Sequence, residues 1–112
     1  MKLLYLAFSC AAVFGILGSP SDAQNTREYE LATSDQELNQ AYASLMRRLG
    51  PSDKASLRIS QRLWIQFRDA DCKLAIADVR DCLMERTVQR TEQLRSTYYS
   101  DENGDVFSLS DS

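Results

Sequence analysis

The chain has 112 residues, with 13 basic against 16 acidic side chains for a net charge of −3, and no histidine. That length holds one domain, and with the positives, Arg47, Arg48, Arg58 and Arg62 among them, balanced by acids, the charge argues against binding nucleic-acid phosphates. With no histidine and three cysteines in all, the donors for a tetrahedral zinc site or for histidine-based acid–base catalysis are missing.

In chain order, Met1-Lys2 supplies one positive charge and Leu3 to Gly18 is an apolar run interrupted by the uncharged Ser9. Ser19-Pro20-Ser21-Asp22-Ala23 comes next, with small residues at Ser21 and Ala23. This is the order of a secretory signal, and the run falls short of the ~20 apolar residues that span a bilayer. An uncleaved anchor is the alternative. Residues 1–23 are read as a signal peptide that takes Cys10 with it, 24–100 as a helical domain and 101–112 as an acidic tail. Removing Lys2 and Asp22 leaves 12 basic and 15 acidic residues, and four of those acids, Asp101, Glu102, Asp105 and Asp111, lie in the tail. The helical domain itself is close to neutral.

Export places the two remaining cysteines, Cys72 and Cys82, in an oxidising compartment with one possible intramolecular pairing. Closing that loop is worth about 2.8 kcal/mol of chain entropy, a useful supplement in so small a domain. Two buried free thiols are the alternative.

Ser34-Asp35-Gln36-Glu37 matches a capping box opening a first helix. Leu38, Tyr42, Leu45 and Leu49 form its apolar stripe, Gly50-Pro51 ends it, and residues 24–33 form at most a short lead-in helix. Ser52 caps a second helix running from about Asp53 to Leu74, on the order of 33 Å, with Leu57, Leu63, Trp64, Phe67 and Leu74 facing inward. Asp78 or Asp81 caps a third, which carries Leu83, Leu94 and Tyr98 to about Ser100. No strand pattern stands out, and the tail lacks the apolar density to pack, so it is expected to be disordered. The fold class is all-α: a small antiparallel bundle of three main helices with one disulfide.

Polar residues interrupt these faces. Gln61, Trp64, Arg68 and Cys72 share one side of the second helix, Thr87 and Arg90 lie between Leu83 and Leu94 on the third, and Asp35 and Asn39 flank Leu38. A buried arginine needs acceptors, so Arg68 or Arg90 is expected to meet Asp35, Asn39 or Gln61 in a partly buried network. The alternative is a set of solvated edge arginines whose stems lie over the core.

Three stretches carry a family resemblance. They are Asp35-Gln36-Glu37-Leu38-Asn39-Gln40-Ala41-Tyr42, then Leu57 to Cys72 with its Gln61-x-x-Trp64-x-x-x-Arg68-x-x-x-Cys72 spacing, then Cys82-Leu83 with Thr87, Arg90 and Leu94. Together they resemble the exported domain family named for the lysozyme inhibitor LprI, over about residues 31–98. Members often carry two further cysteines before the first helix. Their absence here favours pairing of Cys72 with Cys82 and suggests a shortened N-terminal region. The resemblance implies a small helical protein, periplasmic or secreted, with lysozyme as the partner and inhibition as the activity.

In that reading the connection between Cys72 and Cys82 enters the lysozyme cleft, with Lys73 and Arg80 approaching its carboxylates. The acidic tail would speed encounter with a cationic lysozyme. The alternative is a non-enzymatic module that binds another envelope protein or a cell-wall component, with Tyr98, Tyr99 and Phe107-Ser108-Leu109 as a contact that orders on binding. An enzyme is not expected: Asp69 and Asp71 point in different directions on a helix. No catalytic residue, cofactor, metal or nucleic-acid partner is assigned, nor a membrane span once the signal is removed.

Overall fold

A computed structural model describes residues 20–111, so the expected signal peptide lies, up to Ser19, outside the described residues. Three helices succeed one another: α1 (Pro20–Arg48), α2 (Pro51–Cys72) and α3 (Val79–Ser96). A two-stranded hairpin, β1 (Tyr99–Ser100) and β2 (Val106–Phe107), and a 3-10 turn over Leu109–Asp111 complete the chain.

α1 is a single helix of 29 residues, about twice the expected length. No glycine or proline falls between Ser21 and Leu49, so nothing in the backbone stops it. Ser34 is therefore no cap. It lies mid-helix, 4 % exposed, and donates to the Leu31 carbonyl at 2.8 Å, which satisfies a buried hydroxyl without breaking the helix. The α1–α2 corner forms where Gly50 turns extended (φ −72°, ψ 169°) and Pro51 occupies the first turn of α2, the position where a missing N–H costs nothing. Gly50, not Ser52, is the N-cap. α3 starts at Asp78, whose carboxylate accepts the Arg80 backbone N–H at 2.8 Å. It ends four residues before Ser100 because Thr97 turns extended.

The segment beyond α3 corrects the expectation of a disordered tail. Tyr99 pairs with Phe107 across an antiparallel ladder, and Leu49 bridges Asp101. The Asp101 carboxylate accepts the backbone N–H groups of Asn103 and Asp105, both at 2.9 Å, and Gly104 takes the positive φ of 87° that the turn requires. Phe107 is the anchor. It is 8 % exposed, its ring 5.9 Å from that of Tyr99, with the Arg48 guanidinium 3.9 Å above it. Ser108 is buried beside it and donates to the Arg95 carbonyl at 2.8 Å. One aromatic in the right register outweighs the acidic composition around it, and the segment that the alternative reading made a partner contact packs into the protein's own core.

Each helix runs antiparallel to the one before. Arg27 near the start of α1 pairs with Asp78 and Asp81 at the start of α3 (3.7 and 3.3 Å), while Leu49 meets the hairpin at the far end of α3. Thus α1 and α3 are parallel and form the principal helix contact, with α2 more loosely applied to α3. The core consists of Leu38, Ala41, Leu45, Leu49, Leu57, Leu94 and Phe107. Only part of the expected inward face of α2 enters it: Leu57 is buried and Trp64 half-buried, but Leu63, Phe67 and Leu74 are 59, 62 and 81 % exposed. Tyr98 is exposed as well.

Candidate functional site

The side of α2 that faces the bundle is largely polar, and its groups meet α1 and α3 in a defined network. The Arg68 Nη1 donates to the Thr87 hydroxyl at 3.1 Å and lies 3.6 Å from the Asp35 carboxylate. Its Nε and Nη2 both reach Asp69 Oδ1, at 3.0 and 2.9 Å. Thr87, fully buried, passes its own proton to the Leu83 carbonyl at 2.7 Å. One turn further along α3, the Arg90 Nε donates to Gln61 Oε1 at 3.0 Å and its Nη1 to Gln93 at 2.6 Å.

Trp64 sits between the two arginines, with guanidinium carbons 5.3 Å (Arg68) and 5.9 Å (Arg90) from its ring, within cation–π range. Desolvation by burial pushes the Arg90 pKa below its ordinary value. Each arginine is thus supplied with the acceptors that a partly buried guanidinium needs.

The structure therefore brings Asp35, Gln61, Trp64, Arg68, Thr87 and Arg90 together, while Asn39 stays exposed on the rim of an open recess of about 490 Å3 between α1 and α2. Asp69 and Gln93 are members that sequence reasoning missed. Each is a polar residue at i+1 or i+3 from its arginine, a spacing that many surface residues share.

At the other end of α2, Cys72 and Cys82 are bonded, their Cα atoms 5.7 Å apart. Cys72 is 1 % exposed, so the clip is rooted in the bundle while the loop between projects from it. Lys73, Leu74 and Ala75 continue the turn of α2 through bonds to the carbonyls of Ala70, Asp71 and Cys72. Leu74 and Ile76 stand out at 81 and 105 % exposure. Arg80 does not project with them. Its Nη2 lies 2.7 Å from Asp78 and its Nη1 3.5 Å from Glu28, and the hydrogen bonds from Arg80 hold the Asp78 carboxyl well below the usual carboxylate range. The loop thus presents two aliphatic side chains and the exposed Lys73.

Among the described residues no group of acidic or cysteine side chains is arranged to hold a metal ion, and no helix is long and apolar enough to cross a membrane. What the fold and this network define is a small, disulfide-clipped helical domain. The chain belongs to the lysozyme inhibitor LprI family, whose model matches residues 19–94. It is also similar to an uncharacterized protein of Rhizobium meliloti (strain 1021), 28 % identical in an alignment that covers 76 % of this chain and 78 % of that protein. No solved structure matches it.

Proposed function

We propose that this protein is an exported inhibitor that binds lysozyme and blocks its substrate cleft with the loop between Cys72 and Cys82, without catalysing a reaction itself. Membership of the lysozyme inhibitor LprI family carries the reading. Export rests on the N-terminal segment, with its single positive charge, apolar run and small residues before Gln24, and it places the protein in the periplasm or outside the cell.

The loop is suited to the task because it is closed at both ends by the disulfide and presents Leu74 and Ile76 at its tip. A tethered loop loses less conformational entropy on docking than a free one, and two protruding aliphatic groups suit a cleft that excludes water. Lys73 is the cation available for a cleft carboxylate, since Arg80 is engaged by Asp78 and Glu28. Asp35, Gln61, Trp64, Arg68, Thr87 and Arg90 then act as the scaffold that sets α2, and hence the loop, against α3.

The test is lysis of cell-wall substrate by several lysozyme types in the presence of the oxidised protein. Inhibition should fall at least about tenfold in the variant combining Leu74→Asp with Ile76→Asp, whose exposed side chains are not needed for folding. Absence of inhibition by the unaltered protein at high micromolar concentration against every type rejects the proposal.

A further inference from the structure

α2 carries three large apolar residues on the side turned away from the bundle. Ile59, Leu63 and Phe67, four residues apart in succession, lie along one line of the helix and are 57, 59 and 62 % exposed. Nothing in the inhibitor reading uses them. A contiguous exposed apolar stripe on so small a protein marks a contact surface. Its edge is basic. Arg58, Arg62 and Lys73 flank the stripe on one side and are exposed, and Asp69, the acid on that edge, is taken up by Arg68 at 2.9 Å.

We infer that this ridge is a docking surface for an anionic lipid bilayer, on which α2 lies with Ile59, Leu63 and Phe67 in the acyl boundary and the basic stems reaching the head groups. Charge complementarity selects the occupant. Apolar side chains bordered by arginine and lysine on one helix are the pattern of an interfacial helix, and long basic stems allow the charge to remain in the head-group layer while the body stays apolar. The same cations oppose a strongly basic protein on this face. Shape agrees: a convex helix ridge offers no groove to a peptide but matches a flat, deformable surface. The overall charge of −3 does not prevent this, because screening confines the interaction to charges within about 10 Å of the surface.

The experiment compares the protein, purified as cells accumulate it, with the variant combining Leu63→Glu and Phe67→Glu and bearing the same N-terminus. Both are sedimented with vesicles of phosphatidylethanolamine and phosphatidylglycerol, and with vesicles of phosphatidylcholine alone. The unaltered protein should partition onto the anionic vesicles, release as salt is raised, and bind the neutral ones weakly. The variant should partition at least about tenfold less, with unchanged helical circular dichroism and unchanged inhibition of lysozyme in solution. Replacing Arg58 and Arg62 by glutamine should weaken binding to the anionic vesicles alone. Equal partition of protein and variant, equal binding to both vesicle types, or a dimer of the unaltered protein that the glutamates dissociate would each overturn the inference.

Discussion

The seam between α1 and α3 and the seam that α2 makes with them are built on different chemistry. The first is filled by Leu38, Ala41, Leu45, Leu94 and the buried Thr91, side chains that bury area without needing a particular angle. The second depends on directional contacts: Arg68 to Thr87, Arg90 to Gln61, Trp64 between two guanidinium groups, and the disulfide at its end. Non-directional burial pulls the more apolar side of a helix inward. Here the polar contacts and the clip instead fix which side of α2 faces the bundle, and Ile59, Leu63 and Phe67 are left outside. Specific polar groups can set a helix's rotation against its own hydrophobic pattern when every one of them is satisfied.

This difference can be broken at several points. The largest loss is expected at the apolar seam: Leu45→Ala, at a fully buried position, should cost about 2–5 kcal/mol in denaturant unfolding. Leu63→Ala on the outer face of α2 should cost less than about 0.5 kcal/mol. Similar losses at both sites would contradict the placement of α2. Replacing both Cys72 and Cys82 by serine should cost about 2.8 kcal/mol, with the α1–α3 seam retained, seen as hydrogen-exchange protection surviving longest around Leu45 and Leu94.

The polar contacts come next. A double-mutant cycle on Arg68→Ala with Thr87→Val should show a coupling of about 1–2 kcal/mol. Asp35→Ala with Arg68→Ala should show less than about 1 kcal/mol, because that pair is 3.6 Å apart and Asp35 is half exposed. Strict additivity in both cycles would reduce the network to packing alone. The smallest effect concerns pH. Hydrogen bonds from Arg80 depress the Asp78 pKa, so the folded protein holds its proton less tightly there than the unfolded chain does. The stability this supplies is complete above the ordinary carboxylate value of 3.8 and is lost as pH falls below it. The difference in midpoint between the unaltered protein and Asp78→Asn should therefore be flat near neutrality and shrink in acid.

Much of the helical scheme is legible in the residues. The Leu38–Leu49 stripe, the Gly50-Pro51 break and an acidic cap at Asp78 or Asp81 each depend on chemistry within a few positions, and such signals survive in a single sequence. Ser34 is misleading for the same reason: a capping box and a mid-helix serine look alike until the preceding turn is seen to be helical. Phe107 could not be read as core, because its burial depends on Arg48 and Tyr99, one of them 59 positions away in the chain. The sequence alone leads one to expect Arg80 projecting from the loop, whereas two bonds to Asp78 and the approach of Glu28 from α1 fold it back.

By itself the sequence determined where helices can exist and end, and that two thiols ten positions apart are available to join α2 to α3. It also determined that Gln61, Trp64, Arg68 and Cys72 share a face, since helical periodicity is a local property of the chain. Tertiary structure alone decided which way that face turns. The choice compares the whole set of acceptors on α1 and α3 with the apolar area lost on the far side of α2. That balance is between partners distant in sequence, so no stretch of residues carries it.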